Sequence, residues 1–252
     1  VDNTKLSIIT TIGFDHMDRL GNTLVEICRE KCGIIKDDSK VLTGYLAEDC
    51  SATVEEEARK HHSKLYKLGE FASLGDRSFI YEGEKYEILS YATYQVHNAC
   101  LALDAFRIIS EDYPFEIDLD KAKKALKTSN WRCRFEIVKE EPRVILDGAH
   151  NIHGITALAE SFDQFSGSKC IVFSALKRKE YLKMIEVLKQ HCDRLVITTF
   201  ENPEAIDLND FEVYHTDHDY IHAIDEAMKG YENVLICGSL YFLSEVVLNC
   251  KF

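Results

Sequence analysis

Val144-Ile145-Leu146-Asp147-Gly148-Ala149-His150-Asn151 carries an apolar run into a carboxylate, a glycine and two hydrogen-bonding side chains, directly before a helical pattern. A short apolar run bounded by turn residues reads as a buried strand. In an open α/β sheet the carboxyl ends of the strands are where ligands bind. The stretch therefore sets Asp147 and two polar groups at the mouth of a crevice. The structural alternative is a strand-to-helix turn in which Asp147 caps the helix.

Outward from that strand the C-terminal region alternates. Strands fit at 143–146, 169–174, 194–199, 212–215 and 233–237, and helical patterns at 155–165, 179–191, 220–229 and 240–248. Strands separated by helices of this length imply βαβ units and a mainly parallel sheet. The N-terminal region is α/β as well. Residues 6–13 and 41–44 read as strands, 54–62 and 97–109 as helices, and 79–89 alternates about Glu82-Gly83-Glu84 as a hairpin. A helix begins near Asn22, its expected N-cap, and stops at Gly33, and another runs from Leu119 to Lys127. The domain boundary is expected near residues 135–140, giving domains 1–137 and 138–252.

Composition narrows the function. Of 252 residues 46% are hydrophobic and 29% charged, an ordinary globular balance. The net charge of −13 argues against nucleic acid as a partner, because phosphate neutralisation needs clustered Lys and Arg. Nine cysteines, an odd number without a Cys-x-x-Cys pair, read as reduced thiols rather than a zinc site. No apolar run approaches the ~18 residues of a membrane span. The chain opens on Val1 and enters a strand pattern almost at once, which suggests a fragment or a processed chain.

Two further side chains invite chemistry. The apolar stripe Leu24, Ile27, Cys28 continues, one turn on, to Lys31. A lysine there must extend its amine to solvent, find an anion or lose its charge. A neutral amine adds carbon dioxide to form a carbamate, although a lysine in a last helical turn also complements the helix dipole. His16, beside Asp15 at a strand end, suits metal or phosphate work, or is an ordinary surface histidine.

In combination these segments resemble the folylpolyglutamate synthase and dihydrofolate synthase family of the Mur ligase superfamily. The matching blocks are Thr11-Ile12-Gly13-Phe14-Asp15-His16, Leu20-Gly21-Asn22-Thr23 and Arg29-Glu30-Lys31-Cys32-Gly33. Arg134, Asp147-Gly148-Ala149-His150-Asn151, Phe173-Ser174-Ala175-Leu176-Lys177-Arg178-Lys179 and Gly238-Ser239-Leu240-Tyr241 follow in order. Arg178 stands where the family has Asp.

The resemblance implies a Rossmann-like C-terminal sheet domain joined to part of a P-loop-type central domain. It implies ATP-dependent addition of L-glutamate to a folate or dihydropteroate carboxylate, with Mg2+, in a cytoplasmic enzyme that is monomeric when complete and binds neither nucleic acid nor membrane. By position, His16 would be a magnesium ligand and Lys31 the carbamylated lysine. Asn98 and Asp147 would contact ATP and Arg134 its phosphates, while His150 and Ser239 would hold the glutamate. Without the resemblance, Asn98 reads as a helix-start residue, Arg134 as a solvated charge and Ser239 as a cap.

No Gly-x-x-x-x-Gly-Lys-Ser/Thr loop occurs in the 252 residues, a departure from the family. The chain alone is accordingly expected to be inactive. The rival expectations are a cell-wall Mur-type ligase and a nucleotide-binding or regulatory module that has lost its P-loop.

Overall fold

The computed structural model describes residues 4–14, 17–75, 77–113, 118–211 and 213–252. It comprises two compact units, Val1–Ser129 and Asn130–Phe252. Among the described residues no helix is long and apolar enough to cross a membrane.

In the first unit, β1 (Leu6–Ile9) leads through a short turn of helix, α1 (Met17–Leu20), to α2 (Leu24–Cys32), β2 (Lys40–Thr43), α3 (Glu48–Lys60) and β3 (Lys64–Lys67). These strands form a parallel sheet in the order β1-β2-β3. An antiparallel meander follows, β4 (Phe71–Gly75), β5 (Ser78–Tyr81) and β6 (Glu84–Glu87), and then α4 (Thr93–Ser110) and α5 (Leu119–Thr128). One cluster joins Ile9 and Val41 of the sheet to Cys28, Cys32, Cys50, Val54 and Ala58 of α2 and α3. A second joins Leu42 to the meander and α4 through Phe79, Tyr81, Val96 and Cys100.

The N-cap of α2 is Thr23 rather than Asn22. Thr23 Oγ1 accepts from Glu26 N, and the Glu26 carboxylate accepts from Thr23 N in return, a reciprocal capping box. β3 and β4 are not apparent in the sequence, because Lys64–Lys67 and Phe71–Gly75 carry little apolar alternation.

The second unit contains β7 (Glu136–Glu140), β8 (Arg143–Asp147), α6 (Ile152–Phe162), β9 (Lys169–Phe173), α7 (Tyr181–Leu188), β10 (Arg194–Thr198), β11 (His215–Asp217), α8 (Tyr220–Gly230), β12 (Asn233–Cys237) and α9 (Leu240–Asn249). The sheet order is β11-β10-β9-β12-β8-β7, parallel throughout except for β7. The expected strand at 212–215 begins instead at His215, and Glu212 lies outside the described residues. β8, β9 and β12 are buried on both faces, which is why they read as unbroken apolar runs. Val144, Leu146, Val172 and Ile236 pack with Ala223, Ile224 and Phe242 of α8 and α9.

The expected boundary at 137/138 would cut β7. That strand pairs antiparallel with β8, Glu136 opposite Leu146, so it belongs with the second sheet, and the compact units part between Ser129 and Asn130. From β8 the chain passes over the place of β12 to β9, moves outward to β11, and returns to insert β12 between β9 and β8. The strand order therefore reverses at the carboxyl ends of β8, β12 and β9, the switch point where ligands gather in such sheets.

Candidate functional site

The register of the second sheet decides what meets at this switch point. Asp147, Cys237 and Phe173 lie opposite one another at the last rung of β8, β12 and β9. The residues one step further, Gly148, Gly238 and Ser174, form the crest. Gly238 has φ +112, and a β-carbon there would lie 2.4 Å from the Ser174 carbonyl oxygen. Only glycine fits, since the backbone conformation and the space both exclude a side chain.

Asp147 is 2% exposed. Its Oδ1 accepts from Ala149 N at 2.8 Å, and its Oδ2 accepts from Phe135 N at 2.7 Å. The second bond follows from β7: with Glu136 opposite Leu146, Phe135 is carried to the level of Asp147. The loop entering β7 is further tied. Gly148 N donates to Cys133 O at 2.9 Å. Cys133 N donates to Glu136 Oε2 at 2.8 Å, and Glu136 also pairs with Arg132.

Within that loop Arg134 is flanked by Cys133 at φ +57 and Phe135 at φ +51. Both carry β-carbons in the left-handed region, each at a cost on the order of 1 kcal/mol. The two bends turn the Arg134 side chain over Gly148. A β-carbon on Gly148 would fall 2.9 Å from Arg134 Nη1 and 2.2 Å from Leu240 Cδ2. Arg134 and Asp147 thus share one corner of the crest.

The two remaining candidates in this unit lie at helix starts on the same crest. His150 Nδ1 is 2.9 Å from Gly148 O. A carbonyl only accepts, so Nδ1 carries the proton in that contact. Asn151 caps α6 through Gly154 N, and Ser239 caps α9 through Tyr241 N. Ser239 is therefore a cap, as its residue type alone suggests, and sits on the crest as well. Ser174 is fully buried, and its hydroxyl has no partner among the described residues.

In the first unit the candidates are held less firmly. Lys31 lies in the last turn of α2, half-buried at the margin of the stripe whose buried members are Ile27, Cys28 and Cys32. Beneath it Cys28 Sγ donates to Cys50 O at 3.5 Å, and burial pushes the Cys50 thiol up to about 11. Asn98 is exposed on the second turn of α4 and donates to Gln95 Oε1 at 3.1 Å. Its neighbour His97 stacks on Tyr45 at a centroid distance of 5.3 Å, and burial holds its pKa below the usual histidine range. His16 lies outside the described residues. No group of three or more His, Cys, Asp or Glu among the described residues is placed to hold a metal.

Comparison with known proteins agrees with this architecture. Residues 133–240 match the family described as Mur ligase, glutamate ligase domain. That match takes in most of the second unit. Beyond it, the homology takes in both units. The chain is 33% identical to the dihydrofolate synthase/folylpolyglutamate synthase of Bacillus subtilis, over 96% of this chain and 61% of that protein. It is 25% identical to the folylpolyglutamate synthase of Lacticaseibacillus casei over 96% of this chain, again 61% of the relative. The chain thus spans about three fifths of the relatives it matches.

Among solved structures, Escherichia coli FolC in complex with DHPP and ADP is similar with a TM-score of 0.82 at 26% identity, covering 96% of this chain and 60% of that one. Mycobacterium tuberculosis folylpolyglutamate synthase complexed with ADP and AMPPCP shares the fold of this chain, with a TM-score of 0.84 at 21% identity, covering 98% of this chain and 64% of that one.

The contributions of Glu136 and Leu240 to the Arg134 corner were not apparent in the sequence. The signal for the first was present: Glu136-Ile137-Val138-Lys139-Glu140 followed by Glu141-Pro142 precedes β8 as one arm of a hairpin.

Proposed function

We propose that this chain provides nucleotide- and glutamate-handling surfaces of an ATP-dependent ligase that joins L-glutamate to a folate or dihydropteroate carboxylate. The observation that carries the reading is the Arg134 guanidinium turned over Gly148, beside a buried Asp147, at the switch point of a sheet homologous to folate ligases. The substrate carboxylate attacks the γ-phosphorus of ATP, giving an acyl phosphate and releasing ADP. The glutamate amine then attacks the acyl carbon, phosphate leaves, and an amide remains.

Each step develops negative charge on phosphate oxygens, and a guanidinium fixed in advance stabilises such charge without reorganising. Arg134 fills that role in the second unit, where His150 and Ser239 are the candidate glutamate contacts; Asn98 is the first unit's candidate nucleotide contact. Lys31 is half-buried in the last turn of α2. That setting suits an amine that adds carbon dioxide, losing a proton to become an anionic carbamate. The described residues do not make a magnesium site, and the expected ligand His16 lies outside them.

The test is Arg134→Ala in the whole gene product, assayed for ADP release that depends on both glutamate and a folate. Turnover should fall by about 100-fold or more, the usual cost of removing a fixed donor from developing charge. Unchanged turnover sinks the reading. Nucleotide binding without glutamate-dependent ADP release points instead to a binding module.

A further inference from the structure

We propose that the second unit carries a site for a free α-amino acid, remote from the crest, in a cavity of about 530 Å³ at the amino ends of β8, β9 and β12. The amino acid binds as its zwitterion, with its carboxylate on Arg143 and its ammonium on Glu140 and Glu141. Arg143 opens β8 four residues before Asp147, about 13 Å from the crest at the rise of a strand. The proposal is therefore independent of the nucleotide reading.

Arg143 is fixed before any ligand arrives. Its guanidinium lies over the Phe165 ring, with Cζ 4.2 Å from the ring centroid. Nη1 donates to Asn233 Oδ1 at 2.8 Å. Asn233 is 1% exposed, and its Nδ2 donates in turn to Ser166 O at 2.8 Å, which sets the orientation of the amide. Arg143 Nε is buried and has no hydrogen-bond partner among the described residues. A buried donor without an acceptor is costly and calls for a partner. A carboxylate received side-on engages Nε together with Nη2, the edge of the fork that Asn233 does not occupy.

The strand register supplies the opposite charge. Glu140 stands opposite Arg143 where β7 meets β8, and opposed residues of an antiparallel pair project to one face with β-carbons about 5 Å apart. Arg143 nevertheless turns to Phe165 and Asn233, and Glu140 remains exposed, as does Glu141. Lys229 also lines the cavity, but its Nζ pairs with Glu226 at 2.9 Å. Glu232 accepts from Ser168 N at 2.9 Å. A dianion such as phosphate would face three carboxylates, Glu140, Glu141 and Glu232. A bare carboxylate would gain from Arg143 and be repelled by the glutamates. A zwitterion meets a charge of opposite sign at each end.

The test is a titration of glycine into the whole gene product, followed at the Arg143 Nε–H by proton–nitrogen NMR. Glycine is the probe because glutamate would also visit the crest. A saturable shift at millimolar glycine is expected, with acetate and inorganic phosphate each weaker by about 10-fold or more. No shift with glycine overturns the proposal. Acetate or phosphate binding as tightly as glycine also overturns it, since the cavity is then a plain anion site. Arg143→Gln should weaken glycine binding by about 10-fold or more, read at the Asn233 side-chain amide. Unchanged affinity in that variant is equally fatal. The paired change Glu140→Gln and Glu141→Gln lies on exposed positions and should bring glycine and acetate within about two-fold of each other. A preference for glycine that survives it overturns the place given to the ammonium. If Arg143→Gln fails to fold, the parent titration and the paired glutamate variant still decide.

Discussion

The two units hold their candidate residues in opposite ways. At the crest of the second sheet the backbone is fixed by buried hydrogen bonds, and Arg134, His150 and Ser239 are placed by that backbone. In the first unit Lys31 and Asn98 project from helix surfaces, one half-buried and the other exposed beside Gln95. The second arrangement has its geometry before any ligand arrives, which suits groups that meet developing charge. The first leaves long side chains to be ordered by whatever they bind. The contrast teaches that residue type alone does not reveal which site is rigid; the strand register does.

The sharpest break would come at Gly238. Replacement by Ala forces a β-carbon against the Ser174 carbonyl at 2.4 Å with φ at +112. Unfolding should become easier by about 3 kcal/mol or more, read from the urea midpoint. At Gly148 the clash is with side chains, Leu240 and Arg134, which can move. Gly148→Ala should therefore cost about 2 kcal/mol, and it should also displace the guanidinium and weaken ADP binding. A variant that keeps full affinity would show that Arg134 need not cross this glycine.

The first unit should respond more mildly. Thr23→Ala removes the side-chain half of the capping box and should cost about 1 kcal/mol. The other half is pH-dependent. The backbone N–H of Asn22, and then the Thr23 side chain, hold the Glu26 carboxyl below its ordinary 4.5. Its folded pKa is depressed, so the stabilisation is complete above the ordinary value and disappears as pH falls through the lowered one. Below pH 4.5 the parent should converge with Glu26→Gln in thermal melts; parallel curves down to pH 2 contradict the assignment. The smallest effect is expected at Lys31. Lys31→Met should shift the unfolding free energy by less than about 0.5 kcal/mol, because the side chain is half-buried at the margin of the α2 stripe and methionine keeps a similar apolar stem. A large loss would mean that Lys31 is as firmly placed as the crest.

Much of this organisation is legible in the residues. Val144-Ile145-Leu146 and Asn233–Cys237 announce buried parallel strands because water reaches neither face. The N-cap role of Ser239 follows from its residue type before a helical pattern. The satisfied state of Asp147 was hidden, since it depends on β7, whose mixed sequence reads weakly as a strand. A carboxylate before Gly-Ala-His-Asn suggests ligand contact or a local cap. Its bond to a backbone twelve positions earlier requires knowing which strand lies alongside. Left-handed Cys133 and Phe135 were equally invisible, because neither residue type signals that conformation.

The insertion of the final strand, β12, between β8 and β9 sets an order of events for synthesis. Until residues 233–239 have emerged, those two strands lack their common neighbour and the cleft has no floor. A nascent chain on the ribosome must keep these greasy edges apart or sheltered, and a ribosome stalled a few codons early leaves an open, adhesive sheet. Maturation of the cleft is therefore tied to translation of the second unit's last segment.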